Sequence, residues 1–135
     1  MYIMIDNTTK DVISVWIGTT NKTFEEFNEY TEGLEDITSN CTACIDFGTN
    51  FIDTDFFVAY ISADNRVVPI EELVQEIDTS SKKIDDEIVN IAKEKDIYEG
   101  NALYYYMNAT FHEEETNKLY NDLKFIGTFS DSLKK

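Results

Sequence analysis

The segment Ser14–Tyr30, SVWIGTTNKTFEEFNEY, passes from an apolar strand through a single glycine into an acidic helix. Phosphate-binding loops follow the same order, because a glycine turn lets backbone amides approach an anion where a helix begins. A Walker loop needs a second glycine and a Lys-Ser/Thr pair, and a dinucleotide loop needs further glycines, but only Gly18 is present here. Glu25 and Glu26, in the first helical turn, would also repel a phosphate. We therefore interpret Gly18 as a structural turn.

Two cysteines and one histidine are the other reactive residues. Cys41 and Cys44 form a C-x-x-C motif, which is typical of half a zinc site or of a redox pair. A structural zinc ion needs more ligands than these two and the distant His112 can supply. The region is also acidic, which disfavours a thiolate. No motif places a nucleophile beside His112. We interpret the cysteines as ordinary reduced residues and His112 as a residue at the end of a strand.

Two aspartates form the last candidate for chemistry. Asp53 and Asp55 are two positions apart and point the same way if they lie in a strand. With Asp46 they are candidate ligands for a metal ion, although the spaced oxygen ligands of a calcium loop are missing. One hypothesis is thus a small acidic metal-binding protein or enzyme that uses these three aspartates. Since no catalytic motif is present, we favour a protein that is not an enzyme and has no metal or other cofactor.

The charge of the chain restricts its partners. The formal net charge is -16, from 27 acidic and 11 basic residues. Such a field repels nucleic acids and anionic membranes and attracts basic proteins, although it also serves solubility alone. No basic residue occurs between Lys22 and Arg66. That interval contains ten acids: Glu25, Glu26, Glu29, Glu32, Glu35, Asp36, Asp46, Asp53, Asp55 and Asp64. The first half of the chain therefore has the composition of an acidic binding face.

Hydrophobic periodicity predicts the elements that position these residues. The nearly continuous apolar run Val12–Ile17 indicates a strand in the middle of a sheet. Thr23 and Glu26 form a capping box, and Phe24 is expected to face the core with Phe27, Tyr30 and Leu34. The predicted helices are Thr23–Leu34, Val68–Ile77 and Asp78–Lys95, with a short helical turn around Ser39–Cys44. The predicted strands are Val12–Ile17, Asp53–Ile61, Asn101–Phe111 and Leu123–Phe129.

These elements predict one α+β domain over residues 1–135, with a mainly antiparallel sheet of about four to five strands. Two to three helices are expected to pack on one face of that sheet, and the tail from Ser130 is expected to fray. The stretches Tyr104–Phe111 and Leu123–Phe129 are expected to pair, since strands that follow each other in sequence usually do. "WIGT" at Trp16 returns as "FIGT" at Phe125, which indicates that each glycine permits a bend or bulge. The N-terminus lacks a signal pattern, which indicates a cytoplasmic protein.

Four stretches together resemble the bacterial immunity protein 22 family. "VISVWIGTTNKTFEEFNEY" is similar to the opening strand and acidic helix of that family, with its Trp-x-Gly and Glu-Glu-x-x-x-Tyr spacings. "DFGTNFIDTDFF" resembles the middle block, and "ALYYYMN" and "KFIGTF" are similar to the closing strands. The resemblance extends from Val12 to Phe129. The family-type positions are Trp16, Gly18, Tyr30, Phe47, Asp55, Phe56 and Gly127.

The resemblance implies an immunity protein of a polymorphic toxin system. Such a protein lies in the cytoplasm, binds its cognate toxin and has no catalytic residue. Many toxins of these systems are nucleases with basic clefts, which a strongly acidic partner would cover. The residues expected to bind the partner are Glu25, Glu29, Glu32, Glu35, Asp36, Asp53 and Asp55. The remaining alternative is a protein-interaction domain that is merely soluble and acidic.

Overall fold

The computed structural model describes residues 5–38, 40–49, 51–115 and 117–131. Within them, the strands are β1 Ile5–Asp6, β2 Val12–Gly18, β3 Phe57–Ile61, β4 Val68–Pro69, β5 Glu99–Gly100, β6 Ala102–Met107, β7 Thr110–Phe111, β8 Leu119–Tyr120 and β9 Leu123–Ser130. The α-helices are α1 Phe24–Glu29, α2 Thr42–Asp46, α3 Ile70–Leu73 and α4 Lys82–Glu94. Two short 3-10 helices, Ala63–Asn65 and Val74–Glu76, complete the described elements.

The main sheet has the strand order β3-β6-β2-β9-β8, and all neighbouring strands are antiparallel. The predicted α+β class is therefore confirmed, and so is the central place of β2. The expected pairing of Tyr104–Phe111 with Leu123–Phe129 is wrong, because β2 lies between β6 and β9. β2 fits between them because its nearly continuous apolar run is buried from Ile13 to Ile17 by the layers around it.

The two Ile-Gly-Thr stretches lie side by side. Trp16 of β2 is opposite Phe125 of β9, and the register shifts by one residue between Val15 and Trp16. Gly127 lies at this irregularity, opposite Val15, so the expected bulge is present in the second stretch. Gly18 instead ends β2.

The helices cover both faces of the sheet, and the expectation that they pack on one face is wrong. One core cluster contains Trp16 of β2 with residues of α1, α2 and the segment after them, including Phe27 and Phe47. The other contains Ile13, Val15 and Ile17 of β2 with the apolar residues of α3 and α4. The cause lies in β2 itself. Apolar side chains of this strand point to both faces of the sheet, so each face needs a covering layer.

The first helix is shorter than expected, since it ends at Glu29 and the chain continues in turns to Glu35. Its capping box is present, with Thr23 accepting from the Glu26 amide at 3.1 Å and Glu26 accepting from the Thr23 amide at 2.9 Å. Phe24, expected in the core, is 64% exposed. It is the first helical residue, and the core-facing side chains begin one turn later.

Other elements are also shorter in the structure than the sequence predicts. The helix expected over Val68–Ile77 consists of β4, α3 and a 3-10 helix, and α4 begins after its cap Ser81, which accepts from the Ile84 amide. The helical turn expected from Ser39 begins at Thr42, and Ser39 lies outside the described residues. The strand expected from Asp53 begins at Phe57. The long aromatic strand is divided at Asn108, where φ is 62°. At the C-terminus, where fraying was expected, Ser130 belongs to β9 and residues 132–135 are not described.

Candidate functional site

The turn at Gly18 is structural. A Cβ atom on Gly18 would lie 2.5 Å from the carbonyl oxygen of Asp122, so no other residue fits there without backbone movement. The amides that follow are already bonded: Asn101 Oδ1 accepts from the Thr20 amide at 2.9 Å, and Thr20 Oγ1 accepts from the Lys22 amide at 3.1 Å. An anion would find these donors occupied, so the glycine serves close packing between β2 and β9.

An acidic segment begins directly after this turn. Glu25 and Glu26 lie in the first turn of α1, where carboxylates favour the positive end of the helix. Glu26 is held by the capping box, whereas Glu25 and Glu29 are exposed on α1 and Glu32 is exposed in the turns after it. The structure thus places Glu25, Glu29 and Glu32 outside the core, although the helix is shorter than expected.

Glu35 joins this segment to the loop before β3. Its carboxylate accepts hydrogen bonds from both the amide and the hydroxyl of Thr54, each at 2.9 Å. A backbone bond from the Ile52 amide to the Leu34 carbonyl, at 2.9 Å, holds the two segments side by side. Two aspartates, Asp53 and Asp55, flank Thr54 and are therefore brought next to Glu35.

We use the name acidic surface for the seven predicted partner-binding carboxylates of these two segments: Glu25, Glu29, Glu32, Glu35, Asp36, Asp53 and Asp55. Asp53 is half-buried and the other six are exposed. Some of the carboxylates also order the chain locally. Asp36 accepts from the amide and the hydroxyl of Thr38, at 3.0 and 2.7 Å, and Asp53 accepts from the Asp55 amide at 2.9 Å. The surface is thus partly fixed by its own hydrogen bonds, which limits the entropy that a partner would have to remove.

The bonds to Glu35 make a prediction about acid stability. The Thr54 amide and hydroxyl favour the charged carboxylate and hold the pKa of Glu35 below its usual range. A carboxyl whose pKa is lower in the folded state stabilises the protein above its unfolded pKa, and this contribution disappears as the pH falls through the folded pKa. Glu35→Gln should therefore reduce stability at neutral pH and flatten the loss of stability on acidification.

Urea denaturation midpoints measured from neutral pH down to below pH 4 would check this. Glu32→Gln is the matched control, because the Glu32 carboxylate makes no hydrogen bond within the described residues. If the two variants had parallel acid profiles, the Glu35–Thr54 bonds would not contribute to the pH dependence.

Exposed apolar side chains adjoin these acids, and sequence reasoning missed them. Phe24 precedes Glu25, Ile37 follows Asp36 and is 62% exposed, and Phe56 follows Asp55 and is 38% exposed. Aromatic side chains within a polar surround are typical of the residues that supply most binding energy in protein interfaces. The expectation that Phe56 belongs to a strand is wrong, because β3 begins one residue later. The signal in the sequence that could have revealed these exposed side chains was the position of apolar residues at the boundary of an element.

Asp46 lies in a different environment from Asp53 and Asp55. Tyr30 Oη donates to its carboxylate at 2.6 Å, and Lys118 Nζ lies 3.5 Å from its other oxygen. Burial, reinforced by the Asp46 carboxylate, raises the pKa of Tyr30. Within the described ranges, no three His, Cys, Asp or Glu side chains are grouped to hold a metal ion. The three-aspartate site is therefore not assembled in this structure.

The cysteines are buried and free at the start of α2. Cys41 Sγ donates to the Tyr30 carbonyl at 3.5 Å, and Cys44 Sγ donates to the Leu34 carbonyl at 3.6 Å. Burial, with the neighbouring Cys41, raises the pKa of Cys44 to about 12. A thiol of this kind is a poor nucleophile at neutral pH, because little thiolate is present. The pair therefore packs α2 onto the turns after α1.

His112 follows β7 and is exposed. Its Nε2 lies 3.5 Å from the Thr110 hydroxyl, and within the described part of the chain its ring makes no hydrogen bond to a carboxylate. Such a histidine lacks the orienting group that general acid–base catalysis uses. Its position just beyond a strand agrees with the sequence-based interpretation.

The family-type residues divide between core and surface. Trp16, Tyr30 and Phe47 belong to the first core cluster, where the Tyr30 ring stacks on Tyr104 with centroids 6.1 Å apart. Asp55 belongs to the acidic surface, and Phe56, the next residue in the chain, is also exposed.

Comparison with known proteins bears on the chain as a whole. None of the curated proteins or solved structures gives a significant match to this chain. Among the helices described, none has the length and apolar character needed to cross a lipid bilayer. A model of the family described as Immunity protein 22 matches residues 13–130, which is most of the chain. The chain therefore belongs to the Immunity protein 22 family.

Proposed function

We propose that this protein binds and neutralises a cognate bacterial toxin domain through the acidic surface. The observation that carries the proposal is that three exposed apolar residues, Phe24, Ile37 and Phe56, each precede or follow a carboxylate of that surface in the chain. Carboxylates attract and orient a basic partner, and apolar side chains supply the burial that makes a complex last. Family membership supports an immunity role, and this combination of groups supports binding as its means.

The expected partner is a basic toxin with a nuclease-like cleft. A formal charge of -16 on 135 residues gives a long-range attraction toward a cleft built to hold phosphates. Between Lys22 and Arg66 the chain has no basic residue to weaken that attraction. An inhibitor of this kind blocks the toxin by occupancy, so it needs no catalytic group of its own. The same field makes nucleic acids and anionic membranes unsuitable partners. We expect the protein to act in the cytoplasm of the toxin-producing cell.

The two alternatives have less support. A metal-binding protein or enzyme based on Asp46, Asp53 and Asp55 would need these carboxylates to converge, but Asp46 bonds Tyr30 and Lys118 instead. A generic interaction domain with a soluble acidic surface explains the charge. It does not account for the exposed Phe24, Ile37 and Phe56 beside the acids or for the family match.

Co-expression with the toxin domain encoded beside the gene for this chain tests the proposal. We expect the protein to restore growth in cells that produce the toxin and to purify with it as a stoichiometric complex. An unrelated acidic protein of similar size and charge is the control for non-specific attraction. Growth arrest that persists in the presence of the folded protein, with no complex on size exclusion, would contradict the proposal.

A further inference from the structure

One edge of the main sheet is unpaired. β3 is the outermost strand, and its only neighbour within the described residues is β6. The pairing of these strands is regular, from Phe57 opposite Tyr106 to Ile61 opposite Ala102, without a bulge. The other edge strand, β8, has only two residues. β3 is therefore a free edge over its whole length, whereas on the opposite side of the sheet β8 covers only Leu123 and Lys124 of β9.

The hydrogen bonds at the two ends of β3 show which backbone groups point outward. The Met107 amide donates to the Phe56 carbonyl at 2.9 Å, and the Ser62 amide donates to the Asn101 carbonyl at 2.8 Å. In an antiparallel pair, every second residue exchanges its bonds with the partner strand. Val58 and Tyr60 must then bond to β6 as Phe56 and Ser62 do. The residues that direct both N–H and C=O away from the sheet are Phe57, Ala59 and Ile61.

Within the described part of the chain, these outward groups are not satisfied by hydrogen bonds. No hydrogen bond reaches the outward groups of Phe57, Ala59 or Ile61 from another described segment. Natural proteins usually protect such an edge with lysine, proline or a bulge, because it can pair with any extended chain. The sequence FVAYI contains neither lysine nor proline, and Ala59 is exposed. This edge is open to strand addition.

Carboxylates flank the open edge on both faces of the sheet. On one face α1 packs against β3 and carries Glu25 and Glu29. On the other face, a depression of about 180 Å³ beside Tyr60 is lined by Glu72, Glu76 and Arg66, among others. Burial raises the pKa of Tyr60, and Glu76 and Glu72 add to the effect while Arg66 opposes it. Near the edge the basic side chains are Arg66, beside Tyr60, and Lys10, in a depression with Phe56 and Asp53. The carboxylates outnumber them, so the surroundings of the edge are negative on balance.

We propose that β3 pairs with an extended, basic strand of the toxin, which adds to the sheet beyond β3. This inference rests on the proposed function and specifies how the toxin is held. Main-chain bonds to Phe57, Ala59 and Ile61 would supply affinity. The carboxylates on either face would select a strand whose alternating side chains are lysine or arginine. An acidic strand is disfavoured, and so is a second copy of this protein, because carboxylates surround its β3 as well.

Amide hydrogen exchange by NMR on the complex with the purified toxin domain tests this inference. In the free protein, the amides of Ala59 and Ile61 should exchange quickly, whereas those of Val58 and Tyr60 are protected by β6. On binding, Ala59 and Ile61 should slow by at least about tenfold relative to a remote exposed amide, since each gains a hydrogen bond. If the toxin binds and these two rates do not change, the edge inference is wrong while the proposed function stands.

A pair of variants at Ala59 gives an independent test. Ala59→Pro removes an outward N–H without removing a bond to β6, and proline is tolerated at such an edge position. Ala59→Val adds similar bulk but keeps the N–H. We expect toxin affinity to fall at least about tenfold for the proline variant and by less than about threefold for valine, with both folded by circular dichroism. Equal affinity of both variants would overturn the inference, and no binding by the unmodified protein would overturn the proposed function with it.

Discussion

Replacement of Glu25, Glu29 and Glu32 by lysine should weaken binding to the cognate toxin domain by about 100-fold at low salt. Each substitution removes one attraction to a basic cleft and adds one repulsion, and single exposed pairs contribute little alone. The effects of three substitutions on one surface add together, because the three charges act on the same partner at distances within a Debye length. Most of the loss should appear in the association rate, which long-range charge controls.

Salt dependence separates this mechanism from a general loss of folding. The unmodified protein should bind more weakly as ionic strength rises, and the triple variant should show a much flatter dependence. The matched control reverses three exposed acids of α4, Asp86, Glu87 and Glu94, and changes the net charge by the same amount on the opposite face of the sheet. Surface plasmon resonance against the immobilised toxin would measure both rates. Equal losses for the two variants would indicate that total charge, and not this surface, governs binding.

Local sequence signals predicted the elements well, and they predicted the arrangement of those elements less well. The capping box of Thr23 and Glu26 and the central position of β2 were visible because each depends on neighbouring residues. The insertion of β2 between β6 and β9 was not visible in the sequence, since sequence order favours pairing of the later strands. The apolar residues on both sides of β2 did contain the information that two layers of helices are needed.

The candidate site shows the same division. Its carboxylates were identified from composition, but the contact between Glu35 and Thr54 joins positions far apart in sequence and has no local signature. Phe24 has helical spacing with Phe27, so periodicity assigned it to the core. Spacing identifies the apolar face of a helix, but it does not show which turns of that face the rest of the protein covers. The apolar part of the proposed interface was therefore invisible until the fold was known.

The open edge of β3 and the acidic surface are complementary parts of one binding hypothesis. Charge acts over about 8–10 Å in physiological salt and brings a basic partner near in many orientations. Main-chain pairing acts only in one register and direction, so it would convert that attraction into a defined complex. The triple lysine variant should then affect mainly the rate of association, and Ala59→Pro mainly the rate of dissociation. The same binding experiment can distinguish these two effects.

Truncation of Trp16 to alanine should have the largest effect on stability, about 3–5 kcal/mol. Trp16 is fully buried at the centre of β2, and its ring centroid lies 4.9 Å from that of Phe47, 5.2 Å from Phe125 and 5.4 Å from Phe111. Its removal would leave a cavity among aromatic rings that also lose their tilted contacts. Since domains of this size have only about 5–15 kcal/mol of stability, the variant should be close to unfolding at growth temperature.

Trp16→Phe should lower the free energy of unfolding by far less than the loss of side-chain volume alone indicates. Trp16 Nε1 is buried and has no hydrogen-bond partner within the described residues, which penalises the native side chain by about 1–3 kcal/mol. Phenylalanine removes this donor while keeping an aromatic ring against Phe47 and Phe125. Urea denaturation followed by far-UV circular dichroism should rank the proteins as unmodified, phenylalanine and alanine, since Trp16 is the sole tryptophan and fluorescence is lost with it. A phenylalanine variant as unstable as the alanine variant would show that the indole volume, and not its unpaired N–H, decides the energetics at this position.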